Sequence, residues 1–187
     1  MATQLETYRI SADQFLAMDF GPDEKVELDN GAIRMMAGGT RAHARVQGNL
    51  FLALGTRLKG TGCRPYGPDA ATRTHDFSVR YPDITVYCGN QSEPEFDNEK
   101  AFTDPRIVVE VLSPTTAFSD QRVKLAEYQD LASVDTIVFV DPDEERIRVV
   151  QRTGAKDWTD NWLPTGSDVR LPSLDLAIPH SEIFARD

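Results

Sequence analysis

The sequence predicts an α/β fold in which a central mixed β-sheet is flanked by helices. Three observations carry that expectation. DITVYC, RIVVEVL and TIVFVD are short runs rich in β-branched residues, as in strands packed on both faces. Between the last two stands DQRVKLAEYQDLA, a helix of about three turns, and a strand, helix and strand of that size imply a parallel crossover unit. Upstream, KVELDNGAIRMM turns at Asn30-Gly31 and reads as an antiparallel hairpin.

Taken in order, Ser11 with Gln14 resembles a capping box ahead of ADQFLAMD, a short first helix. The hairpin follows, with Glu27 on its first strand. From Thr40, a candidate N-cap, a helical pattern runs to about Lys59, with Val46, Leu50, Leu54 and Leu58 on one stripe and His43 near it. Gly48 and Gly55 share a face, where they would admit a closely packed neighbour. The stretch from Cys63 to Arg80, rich in Gly, Pro and polar residues, reads as one short strand and loops, and Ser119 or Asp120 as the cap of the crossover helix. After TIVFVD, RIRVVQR, the segment Trp158 to Leu163 and VRLPSLDLAI read as shorter strands, and IFAR as a terminal turn. No repeat, low-complexity tract or linker interrupts the chain, so a single domain over residues 1–187 is expected.

Composition narrows the function. No apolar run approaches the roughly 18 residues of a membrane span, and MATQLETYRISADQF has no basic segment followed by an apolar core. A cytoplasmic protein without a membrane partner is therefore expected. Cys63 and Cys88 form no CxxC pair and are expected to be reduced and merely packed. The sequon-like Asn90-Gln91-Ser92 has little meaning without export. GxGxxG, P-loop and HExxH patterns are absent, which leaves small-molecule enzymes little support. Net charge is −10, yet residues 34–80 carry eight bases against two acids, a local +6 that leaves −16 for the rest. That asymmetry hints at a face for nucleic acid, or at an ordinary solvated face.

One residue stands out chemically. In IVVEVLSPTT, Glu110 interrupts an apolar strand, and an unpaired buried charge is expensive. Asp83, after Pro82, opens the strand ITVY. If the two strands are neighbours, Asp83 and Glu110 can point to one position, with Glu27 as a third acid. Mg²⁺ takes oxygen ligands at about 2.1 Å and usually only one or two carboxylates from the protein. The same residues also allow a plainer reading. Glu110 and Lys124 can be an ion pair holding helix to sheet, or Lys124 can face solvent. Asp83 can cap a strand start, Glu27 be a solvated hairpin residue, His43 an ordinary first-turn residue and Tyr128 core packing.

PDITVY, IVVEVLSPTT, SDQRVKLAEYQDL and TIVFVDP, in that order and spacing, resemble the Uma2 family (DUF820), a branch of the PD-(D/E)XK restriction-endonuclease-like nucleases. The VELDNGAI hairpin followed by a histidine at a helix head is similar to the family's N-terminal part, and LPSLDLAIPHSEIF to its end, so the likeness spans nearly the whole chain. The resemblance implies a restriction-endonuclease-like core, phosphodiester hydrolysis with Mg²⁺ or Mn²⁺, a nucleic-acid substrate with DNA ahead of RNA, and a homodimer. It makes Pro82-Asp83 the PD element, Glu110 the acid of (D/E)XK and Glu27 the accessory acid. It also shows a departure: the motif's lysine position is Leu112, and Lys124, on the following helix, is the matching residue, as in branches where the lysine has migrated. Asp83, Glu110 and Glu27 would then be the metal ligands and Lys124 the group that orients water or stabilises the transition state. Arg41 and Arg45, one turn apart at a helix start where the dipole favours anions, are with His43 the expected rim for phosphates. Tyr128, one turn from Lys124, is a further candidate contact. Overall acidity and the displaced lysine favour the alternative, a binding or regulatory module that keeps the fold without cleaving.

Overall fold

The computed structural model describes residues 9–21, 24–36, 38–89, 98–113 and 118–186, with the side chains of 118–120 excepted. Its first helix, α1 (Ala12–Ala17), opens on the reciprocal Ser11–Gln14 capping box. β1 (Val26–Asp29) and β2 (Ala32–Met35) pair antiparallel. Asn30 and Gly31 between them sit at φ 48° and 86°, the left-handed pair that a type I′ turn demands. α2 (Arg41–Leu58) is capped by Thr40, whose hydroxyl accepts the His43 N–H at 3.2 Å, and it buries Val46, Leu50, Leu54 and Leu58. The expected close approach at its glycines is absent among the described residues: none lies within 4 Å of a Cβ built on Gly48, and Pro65 meets one on Gly55 at an ordinary 3.8 Å.

The stretch after α2 departs most from expectation. It holds three strands, β3 (Cys63–Tyr66), β4 (Ala71–His75) and β5 (Ser78–Arg80). Their Thr-, Arg- and Pro-containing sequences resemble loops, and they become strands because partners from elsewhere in the chain supply the ladders. Then come β6 (Ile84–Cys88), β7 (Ala101–Phe102), β8 (Ile107–Val111), α3 (Phe118–Asp130), β9 (Thr136–Asp141), β10 (Arg146–Arg152) and β11 (Trp158–Trp162). β12 (Val169–Leu171), a 3-10 turn (Pro172–Leu174), β13 (Leu176–Ile178) and α4 (His180–Ile183), which leads into a turn at Phe184, complete the order. The expected caps Ser119 and Asp120 fall within α3, and their side chains, like Asn90-Gln91-Ser92, lie outside the described residues.

The strands form two principal sheets, one ordered β2-β1-β5-β4-β7 and one ordered β11-β10-β9-β8-β6-β3, with β12-β13 as a separate pair. The hairpin thus heads a second sheet, docked through the Leu28–Val79 pairing, and does not extend the central one. In the six-stranded sheet β8 and β9 are parallel with α3 crossing between them, and β6 lies antiparallel beside β8. Alternation along β8 assigns the faces. Ile107, Val109 and Val111 pack with the buried stripe of α2, while Val108 packs with Tyr128 of α3 and Val134. Glu110 has the parity of Val108, which turns it toward α3.

Cys63 and Cys88 are not reduced. They are direct register partners of β3 and β6 and form a disulfide. Local spacing could not reveal it, because the pairing exists only once Cys63 is placed on a strand. Closing a loop of 25 residues is worth about 3 kcal/mol in chain-entropy terms. Thiol titration of the unfolded, unreduced protein is expected to find no free thiol, and dithiothreitol to lower Tm by about 6–12 °C. Two titratable thiols before reduction would overturn this. A disulfide also sits uneasily with the expected cytoplasmic address, where thiols are kept reduced. Among the described residues no helix is long and apolar enough to cross a membrane.

Candidate active site

Asp83 stands one residue ahead of β6, behind the buried Pro82. The antiparallel register Ile84↔Val109, continued by one step, sets Asp83 opposite Glu110. Asp83 Oδ2 accepts the Val111 N–H at 2.7 Å, and Oδ1 lies 3.3 Å from His43 Nε2. The first turns of α2 reach this point because Gln47 also donates to the Asp83 carbonyl at 3.0 Å. The bond to Asp83 is the chief cause that holds the His43 pKa above its ordinary value, against the effect of burial.

Glu110 is 9% exposed. The Tyr128 hydroxyl donates to its Oε1 at 2.6 Å, and Lys124 Nζ stands 3.6 Å away. Burial pushes the Glu110 pKa up, and the negative charges of Asp83 and Glu27 push the same way, while Lys124 and the Tyr128 bond oppose them. Tyr128 is itself fully buried, and burial together with Glu110 raises its pKa well above the usual phenol value, so it stays a donor. Lys124 also reaches Glu27, with Nζ 3.4 Å from Oε2. Burial alone would lower the pKa of this ammonium, but Glu110 and Glu27 together outweigh it and the net shift is upward. Leu112, at the motif's lysine position, packs half-buried beside Val108 and Tyr128.

The structure therefore brings Glu27, Asp83, Glu110, Lys124, His43 and Tyr128 together from β1, the entry to β6, β8, α2 and α3. Two residues that sequence patterns left unmarked join them. Arg80, 2% exposed at the end of β5, donates from NH1 to Glu27 Oε1 at 3.0 Å and from NH2 to Asp29 Oδ1 at 2.8 Å. It also grips both oxygens of Glu127, from Nε at 2.8 Å and NH2 at 2.7 Å. Burial works against that charge, but the carboxylates outweigh it and hold Arg80 protonated. Glu127 answers in kind, its pKa lowered because Arg80 and the Thr74 hydroxyl at 2.8 Å outweigh burial. One signal was available: Glu127 lies on the same helical face as Lys124 and Tyr128.

The expected basic face is largely neutralised, because acids mostly from outside residues 34–80 pair with it. Besides Arg80, Arg34 binds Asp29, Arg57 binds Glu182 and Arg73 binds Asp13 and Asp76. Arg45 is not presented at a rim. Its guanidinium donates to the carbonyls of Phe184 and Ala185 at 2.8 and 2.9 Å and ties down the end of the fold. Arg41, Lys59 and Arg64 remain exposed.

Among the described residues no three His, Cys, Asp or Glu side chains are gathered closely enough for a closed metal cage. Mg²⁺ asks for less, since one or two carboxylates suffice when water and phosphate complete its shell. The register sets Asp83 opposite Glu110 on neighbouring strands, and among the described residues Glu27 Oε2 is a buried oxygen without a hydrogen bond. This all-oxygen set fits an open site for a hard cation, with the Lys124 ammonium meanwhile balancing two of its acids.

A family model described as "Putative restriction endonuclease", Uma2, matches residues 12–180. Two uncharacterized proteins of Synechocystis sp. (strain PCC 6803) are similar over most of their lengths. One, sll1609, is 26% identical over 152 residues, 80% of this chain and 84% of its own. The other, slr1290, is 25% identical over 179 residues, 94% of this chain and 92% of its own. The crystal structure of a "putative nuclease belonging to DUF820" from Anabaena variabilis superposes with a TM-score of 0.77 at 18% identity, covering 94% of this chain and 98% of that one. A likeness at that identity speaks to the fold, which matches the α/β architecture expected from the strand runs.

Proposed function

Because the chain belongs to the Uma2 family, we propose that it is an endonuclease hydrolysing nucleic-acid phosphodiesters with Mg²⁺ or Mn²⁺, DNA ahead of RNA, as a homodimer. The observation that carries this reading is the reach of Lys124 to Glu27 and Glu110 at 3.4 and 3.6 Å from a helix, although Leu112 occupies the motif's lysine position. A lysine placed there by a different route serves the same chemistry.

Asp83, Glu110 and Glu27 would hold the cation, which when bound supplies Lewis acidity at the phosphate and a more acidic water. The other residues act around them. The Val111 amide and His43 orient Asp83, and Tyr128 fixes one oxygen of Glu110 so that the carboxylate cannot rotate away. Lys124 offers a compact charge that can shift from its two acids toward the extra negative charge of the pentacovalent transition state.

The test is a cleavage assay with Mg²⁺ and Mn²⁺ on single- and double-stranded DNA and RNA, with Ca²⁺ used to measure binding without cleavage. Metal-dependent cleavage of DNA is expected. Binding without cleavage favours the second reading, a non-catalytic module, which the neutralised basic segment supports. Sedimentation reads the oligomeric state directly.

Arg41 is exposed while Arg45 is bound to backbone carbonyls, so the two arginines differ in their expected effects. Arg41→Ala is expected to weaken binding at low salt and to flatten the log–log salt slope by about one unit. Arg45→Ala is expected to leave that slope unchanged and to cost about 2 kcal/mol of stability, because two carbonyls lose a charged donor. Equal salt slopes for wild type and Arg41→Ala would remove Arg41 from the interface.

A further inference from the structure

Among the described residues Arg80 bonds to neither Asp83 nor Glu110, yet it touches both elements that carry the other two site residues. Through NH1 it fixes one oxygen of Glu27 on β1, which leaves Oε2 without a hydrogen bond and 3.4 Å from Lys124. Through Nε and NH2 it grips Glu127, one turn along α3 from Lys124 and next to Tyr128. The fork is rigid and planar, so the positions of Glu27 and Glu127 are set relative to each other. Its own backbone is three residues from Asp83 along VRYPD. Glu127 is in turn held by the Thr74 hydroxyl of β4, so the clamp is anchored to the five-stranded sheet on one side and to α3 on the other.

The geometry points to Arg80 as the positioning residue of the candidate site: its guanidinium aims Glu27 at Lys124 and docks the helix that presents Lys124 and Tyr128 to Glu110. An arginine used only to neutralise charge would need one carboxylate, whereas this one divides its donors among three, Glu27, Asp29 and Glu127. Lysine keeps the charge but has no fork, so it cannot hold the three acids in one plane. The inference rests on the nuclease reading for its kinetic consequence and on contacts alone for its structural one.

The experiment compares wild type, Arg80→Lys, Glu27→Gln and the double variant by crystal structure, Mn²⁺ calorimetry and Mg²⁺-dependent cleavage, with Glu127→Gln as a milder probe should Arg80→Lys fail to fold. In Arg80→Lys the Glu27 carboxylate is expected to leave Lys124, Mn²⁺ affinity to fall about 10-fold and cleavage about 100-fold. The double variant is expected to lose less than the sum of the two single losses, since Arg80 acts in part through Glu27 and in part through Glu127. Glu127→Gln is expected to shift Lys124 and Tyr128 together and to lower kcat with little change in KM. Glu27 and Lys124 unmoved in the variant structures, or losses that simply add in the double variant, overturn the assignment. A wild type that neither binds Mn²⁺ nor cleaves overturns the nuclease reading instead, while the positions of Glu27 and Lys124 still decide the role of Arg80.

Discussion

Glu110→Gln is expected to lower cleavage by about 10³-fold while leaving the metal-free protein as stable as wild type, or more stable by about 1 kcal/mol, some 2–4 °C in Tm. Glutamine keeps the shape and can still accept the Tyr128 hydroxyl, but it carries no charge into a site where burial, Asp83 and Glu27 all disfavour one. The sign of the pH dependence follows. A carboxyl whose folded pKa is raised contributes most below its ordinary value of 4.5, and that contribution is lost as pH rises through the higher folded value. Wild-type stability is therefore expected to fall relative to Glu110→Gln as pH rises from about 4.5, with the two curves running parallel once Glu110 is fully ionised. Thermal denaturation from pH 4 to 8 in EDTA, beside cleavage in Mg²⁺, measures both effects. Wild-type cleavage by the variant would take Glu110 out of the chemistry, and a large loss of stability would make it a structural ion-pair partner.

The acid on an apolar strand was legible because β8 is buried on both faces. A run such as IVVEV can be read as central, and its one charge stands out against it. The crossover unit, the Asn30-Gly31 turn and the α2 stripe were legible for the same kind of reason, since each is fixed by local chemistry. β4 and β5 were not, because ATRTH and SVR take their strand character from pairing with each other, with the hairpin and with β7. Arg80 fell with them. Read locally it is one more base in a basic stretch, and only the convergence of Glu27, Asp29 and Glu127 from two other elements accounts for its burial. The disulfide was hidden likewise, since Cys63 has a partner only after β3 is known to run beside β6. The distances between the four candidate residues are tertiary facts, whereas their types, their order and the displacement of the lysine from Leu112 to Lys124 are written in the chain.

Lys124→Met is the second large effect, and it separates a reacting lysine from a structural one. The side chain is 19% exposed and its ammonium balances Glu27 and Glu110. Removing it leaves two acids without their cation, and breaking such a partly buried pair costs about 2–3 kcal/mol. Its folded pKa is raised above the ordinary 10.5, so the stabilisation is fully present below that value and the whole loss is expected at neutral pH. Methionine fills much of the same space, so the loss is electrostatic and a cation can replace it. Mn²⁺ at about 100 times its Kd returns about 2.7 kcal/mol by mass action, which is close to what was lost. The variant is therefore expected to melt well below wild type in EDTA, to recover in Mn²⁺ and to bind Mn²⁺ measurably by calorimetry. Cleavage is expected to stay about 10³-fold down even when metal is saturating, because nothing then meets the charge that develops on the phosphate. Loss of stability without recovery in Mn²⁺ would make Lys124 and Glu110 an ion pair that holds α3 on the sheet, and undiminished cleavage would remove Lys124 from the mechanism.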